Sequence, residues 1–150
     1  MADAQNRLIE LLPKAVCQQL LGLARPVELR MSQVLFEAGE AMQHAYFPVN
    51  AFVSLIVKVD DQPGVEVGMI GREGFVGASL VLGSGIAVSC AIVQGGGLAW
   101  QIEAADLRRM LSKSEVLKRH LDNYVHVLMS QQANAAACLR FHHVSPRLAR

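Results

Sequence analysis

The sequence is short of aromatic side chains, of cysteine and of surplus charge. Only 5% of its 150 residues are Phe, Trp or Tyr, so a core must come from aliphatic side chains, which the 52% hydrophobic content supplies. The formal net charge of +1 gives no basic field of the kind that carries nucleic-acid binding on its own. The cysteines, Cys17, Cys90 and Cys138, are odd in number, far apart and set among apolar neighbours. They suit neither a disulfide framework nor a metal site, and read as the reduced thiols of a cytosolic protein. The N-terminal stretch MADAQNRLIELLP carries Asp3, Arg7 and Glu10 and lacks an apolar run with a small-residue cleavage site. No secretory signal is expected there, and the chain is placed in the cytoplasm.

Charge is also missing from one long stretch: residues 74–102 hold no charged side chain. A membrane-spanning helix needs about 20 mostly apolar residues, and the length is there. Yet Gly74, Gly77, Gly83, Gly85, Gly95, Gly96 and Gly97 interrupt it, each costing a helix interior about 1 kcal/mol relative to alanine. No Lys or Arg anchors its C-terminal end, so neither a membrane span nor a membrane partner is expected. The spacing Gly71-x-x-Gly74-x-x-Gly77 superficially suggests a dinucleotide fingerprint, but the first glycine pair is wrong and no strand–helix–strand unit surrounds it.

What the chain does have is a clear order of elements. Over residues 6–23, Leu8, Leu11, Leu12, Ala15, Val16, Gln19 and Leu20 recur at spacings of three and four. That predicts an amphipathic helix, or two short ones meeting at Pro13. From Pro26 onward, VELR, QVLF, AYFPV, FVSLIVKV, VEVGMI, AVSCAIV and GLAWQIE are short runs rich in Val, Phe and Leu, parted by turn chemistry such as DDQPG at 60–64 and GGG at 95–97. Seven or eight short strands at such spacing predict a mainly β protein with flanking helices, a small antiparallel barrel or jelly roll.

The last third is helical. AADLRRMLS at 104–112 is a short helix, and Ser114 is placed to cap a longer one running from Glu115 towards Arg140. Within it Leu117, Leu121, Tyr124, Leu128, Gln131, Ala135 and Cys138 alternate spacings of four and three, the seam of a coiled coil. The expectation is a parallel homodimer through that seam, with Val116, Val125, Val127 and Met129 packing back on the barrel. The chain then divides into a roll with its N-terminal helix over 1–113, a dimerisation helix over 114–140, and a hinge over 141–150.

This order of short helix, roll and long helix resembles the sensor half of CRP/FNR-family transcription regulators, whose sensor has a cyclic-nucleotide-binding fold. The resemblance covers residues 6–150. In that family a phosphate cassette of the form G-x-[FI]-[IV]-G-E-L is followed, after a loop, by R-[ST]-A. Gly74-Phe75-Val76-Gly77-Ala78-Ser79-Leu80 stands in the first place and Val88-Ser89-Cys90 in the second. Leu139-Arg140-Phe141-His142-His143-Val144-Ser145-Pro146-Arg147-Leu148-Ala149 looks like the family's hinge and the start of its winged helix-turn-helix. The resemblance implies that the cassette's glutamate holds a ribose hydroxyl and its arginine the cyclic phosphate, bidentately. Here those two positions are Ala78 and Val88. The backbone of Gly77, Ala78 and Ser79, and the hydroxyl of Ser89, are what remain of a phosphate cradle, so an effector other than cyclic AMP, or none, is expected. A Thr-Ser pair that touches the base in the family is Gln132 and Ala133 here, and Gln132 is a possible ligand contact. DNA and RNA polymerase would be partners of a full-length protein only.

Other readings carry less. His44, His120, His126, His142 and His143 show no metal-ligand spacing with a carboxylate, so no metal is expected. Cys17 stands alone where iron–sulfur relatives cluster cysteines, and nothing asks His44 or Cys90 to hold haem, so no cofactor is expected. No nucleophile comes with a base and an orienting partner, and no enzyme is expected. The alternatives are a cupin-type jelly roll, which would need several histidines on one barrel face where the strands carry only His44, and a cyclic-nucleotide-binding regulatory subunit, against which the tract from Leu139 to Ala149 speaks.

Overall fold

The missing N–H of Pro13 divides the N-terminal segment as its chemistry requires. In a computed structural model that describes residues 5–60 and 62–141, α1 (Arg7–Glu10) ends before it and α2 (Lys14–Leu23) begins after it. Asn6 caps α1: its Oδ1 accepts from the Ile9 N–H at 3.3 Å. The same side chain, fully buried, donates through Nδ2 to the carbonyls of Pro48 at 2.8 Å and Gly74 at 2.9 Å. One amide therefore ties the N-terminal helix to a strand end, at Pro48, and to a loop, at Gly74.

Among the described residues seven strands follow, all paired antiparallel. β1 (Arg25–Leu29) and β3 (His44–Pro48) flank β7 (Gly97–Glu103) in one sheet. β2 (Val34–Phe36), β6 (Cys90–Gly95), β4 (Phe52–Val57) and β5 (Val65–Ile70) form the other, in that order. Leu29, Phe47 and Ile102 from the first sheet and Val53, Ile70 and Val93 from the second meet in one core. The antiparallel roll with flanking helices is the architecture expected from the strand runs. Only Gly96 separates β6 from β7, where the chain passes between sheets. A Cβ at Gly97 would lie 3.0 Å from the Ala51 backbone nitrogen and against Asn50 Oδ1, which accepts from the Leu98 N–H at 2.6 Å. Glycine is required there by close approach.

The roll is followed by α4 (Ala104–Lys113) and α5 (Glu115–Phe141). Ser114 Oγ accepts from the Leu117 N–H at 3.2 Å, the capping role its position predicts. The 27 residues of α5 extend about 40 Å at 1.5 Å per residue, and the helix packs on α4 and β5. Here Val125 packs back on the roll as expected, while the structure corrects other parts of the sequence reading of these faces. Leu117 and Leu121 are fully buried and Leu128 nearly so, together with Val125, all against the chain's own roll. Val116, Val127 and Met129 are instead exposed. Tyr124 is half-buried, Gln131 and Ala135 are exposed, and Cys138 is buried. A spacing of four and three marks a helix that covers any apolar surface, and the roll's own core claims it first. The expected hinge over 141–150 lies, apart from residue 141, outside the described residues.

Candidate functional site

β5 ends at Ile70, and the loop that follows is pinned at several points. The Gly74 carbonyl accepts from Asn6 at 2.9 Å. Phe75, fully buried, stacks on Phe47 with centroids 5.2 Å apart and meets Tyr124 of α5 at 5.3 Å and 49°. Val76 exchanges backbone hydrogen bonds with Tyr46 at 2.8 and 3.0 Å. Glycine is needed at both ends of this loop. A Cβ at Gly74 would collide with the Tyr124 hydroxyl and ring, and Gly77 takes φ +130° with Ala45 Cβ only 3.1 Å from a Cβ built on it. Burial pushes the Tyr124 phenol's pKa well above its ordinary value.

Past Gly77 the chain forms a single helical turn, α3 (Ala78–Val81), so the N–H groups of Ala78 and Ser79 have no acceptor within the helix. The return loop is held by backbone bonds: the Ala87 carbonyl accepts from Gly39 at 2.8 Å, the Ala87 N–H donates to Glu40 at 2.9 Å, and the Met42 N–H donates to Gly85 at 2.8 Å. These bring Val88 and Ser89 opposite α3. Between the two segments and α5 lies a cavity of about 150 Å³. Gly77, Ala78, Ser79, Val88, Ser89 and Gln132 all line it, so the sequence-selected candidates from three distant segments do converge. α5 adds Val125, Leu128 and Met129 as well as Gln132. Leu128, expected in a dimer seam, is therefore a cavity wall.

No Asp, Glu, Lys, Arg or His lines the cavity among the described residues. Ser79, Ser89 and Gln132 are its polar side chains. Cys90, next to Ser89, is buried, and its thiol pKa is raised by burial and by a hydrogen bond to Glu37. It is held as a protonated, weakly nucleophilic thiol. His120 bonds the Leu8 carbonyl at 2.8 Å, tying α5 to α1. Among the described residues no three His, Cys, Asp or Glu side chains are grouped to hold a metal ion. Sequence reasoning missed the apolar walls, Phe36, Met42, Leu55 and Ile70. Alternation along FVSLIVKV would have aimed Val53 and Leu55 inward, but nothing marked which inward residues face a void.

Residues 26–114, more than half of the chain, match the family of cyclic nucleotide-binding domains. The chain belongs to that family. Family and fold are those of regulatory binding domains rather than enzymes. No curated protein sequence matches it. The cyclic nucleotide-binding fold seen here is shared with the c-di-GMP-responsive global regulator CLP of Xanthomonas campestris, at TM-score 0.76 and 17% identity over 92% of this chain and 70% of that one. Catabolite activator protein of Thermus thermophilus superposes at TM-score 0.71 and 13% identity, over 90% of this chain and 63% of that one. A putative cyclic nucleotide-binding protein of Geobacter metallireducens does so at TM-score 0.70 and 15% identity, over 89% and 99%. At these identities the likeness is one of fold. No helix among the described residues is long and apolar enough to cross a membrane.

Proposed function

We propose that this chain is the sensor and dimerisation part of a cytoplasmic CRP/FNR-like transcription regulator whose effector is not cyclic AMP. One observation carries the reading: the cavity holds both cassette segments and four residues of α5, and no charged side chain. A phosphate monoanion buried there would have two backbone amides at the start of α3 and no guanidinium, a shortfall of several kcal/mol. Ala78 and Val88, in the places of the cassette's glutamate and arginine, are the cause.

An effector in this cavity touches roll and α5 together, so its affinity differs between placements of the helix, and binding shifts their populations. In a homodimer that change would alter how two long helices cross and so how DNA-binding heads in a full-length protein are spaced, with DNA and RNA polymerase reached only there. The dimer would use the outer face of α5, with Val116 and Val127, and the stretch beyond the roll that exposes Gln131 and Ala135. Thermal unfolding with and without millimolar cyclic AMP and cyclic GMP tests the effector reading. A ligand at about 100 times its Kd adds about 2.7 kcal/mol, roughly 5–10 °C for a domain of this size. The melting temperature is expected to stay put, and a rise of that order refutes the reading. Light scattering at tens of micromolar tests the dimer, and a monomer there removes it.

A further inference from the structure

Taking the cavity to be the effector site, we infer that it binds a neutral, largely apolar small molecule of about benzene-to-indole size, with room for one hydrogen-bonding group. Volume is the first ground. The cavity measures about 150 Å³, half the lower end of the roughly 300–1,000 Å³ typical of clefts that enclose drug-sized ligands. A space of about that volume with apolar walls is large enough to take up benzene.

Lining chemistry is the second ground. Phe36, Met42, Leu55, Ile70, Val125 and Leu128 form buried walls. The polar side chains are the neutral hydroxyls of Ser79 and Ser89 and the amide of Gln132, which can hold a phenolic O–H or an indole N–H and cannot neutralise a charge. The mouth is the third. Leu82, Val88 and Met129 stand at 64%, 79% and 60% exposure around the opening. An entrance for an anionic ligand is expected to focus it with basic side chains, whereas this rim is apolar, and the Met129 thioether on α5 is flexible enough to fold over a small guest.

The test uses the whole chain with 13C-methyl methionine, titrated with benzene, phenol and benzoate, which match in size and differ in polarity and charge. Met42 and Met129 report on the cavity, and exposed Met31 and Met69 on nonspecific association. Saturable shifts confined to Met42 and Met129 with benzene and phenol, and at least tenfold weaker binding of benzoate, support the inference. It is overturned by the absence of such shifts, by equal movement of all four methyls, or by benzoate binding as well as phenol. Ala78→Leu fills the cavity and should weaken the benzene response more than tenfold, with Ser79→Leu as the second variant if the first does not fold. A response that survives filling places the guest elsewhere and overturns the inference. Cyclic AMP is titrated in parallel: a saturable shift with it refutes the effector reading above, whereas flat responses to both cyclic AMP and benzene refute this inference alone.

Discussion

Replacing Asn6 by alanine removes three hydrogen bonds from a fully buried position. Loss of the α1 cap costs about 1 kcal/mol. The carbonyls of Pro48 and Gly74, each left without this donor, add about 1 kcal/mol apiece. The expected total is about 3 kcal/mol, a fall of roughly 6–12 °C in melting temperature for a chain of this size, read as a lower urea midpoint at unchanged m-value. Asn6→Asp sharpens the test. It keeps the capping oxygen but turns an N–H donor into an oxygen facing two carbonyl oxygens, so the folded state disfavours the carboxylate and raises its pKa above the unfolded value of about 3.9. The folded state then holds the extra proton, and stability relative to wild type is best below about pH 4 and is lost as pH rises. Because the Gly74 carbonyl starts the cassette loop, both variants should also speed amide exchange over residues 74–77. A cost under about 0.5 kcal/mol for Asn6→Ala, the range of ordinary surface changes, would refute the reasoning, as would an Asp variant with no pH dependence of its own.

Further outcomes follow from α5 and its contacts. Leu121→Ala should cost about 2–5 kcal/mol and leave the mass by light scattering unchanged, whereas Val127→Glu should barely move stability yet halve that mass. The reverse pair of results would restore the seam read from the sequence. Gly74→Ala drives a Cβ into the Tyr124 ring, so its penalty should shrink in a Gly74→Ala/Tyr124→Ala background, a non-additivity visible in a double-mutant cycle. Burial raises the pKa of Cys17, Cys90 and Tyr124, so the folded state holds these protons more tightly than the unfolded one. That stability is complete below about pH 8.5 for the thiols and about pH 10 for the phenol and declines above. Urea midpoints from pH 8 upward should fall, and Tyr124→Phe should remove the part of the fall that begins near pH 10.

The strands were legible because a half-buried β-strand writes its pleat into the chain, and because Pro13, Gly95, Gly96 and Gly97 punctuate the sequence where the backbone turns or crosses between sheets. The cavity's polar corners were legible only through a motif: nothing in periodicity brings Gln132 together with Ala78 and Val88. The faces of α5 were legible only in part, at Val125, which packs on the roll as expected. A seam of Leu117, Leu121 and Leu128 has the same spacing whether a second helix or the chain's own roll covers it, and the choice depends on a core that forms only in three dimensions. Asn6 went unnoticed because its weight lies in two carbonyls, at Pro48 and Gly74, far along the sequence. Tyr124 was read with the seam for the same reason, although its ring packs on Phe75 of the cassette loop.

The central claim is that a cyclic nucleotide-binding fold has here lost its two charged contacts, and titration calorimetry with cyclic AMP tests it most directly, on the wild-type chain beside an Ala78→Glu/Val88→Arg variant. The account predicts no heat of binding for wild type and measurable binding for the variant, since a guanidinium at the cavity mouth supplies the missing bidentate partner. Wild type binding cyclic AMP as tightly as the variant would contradict it: the backbone cradle of Gly77, Ala78 and Ser79 would then suffice, and the effector would be the nucleotide after all.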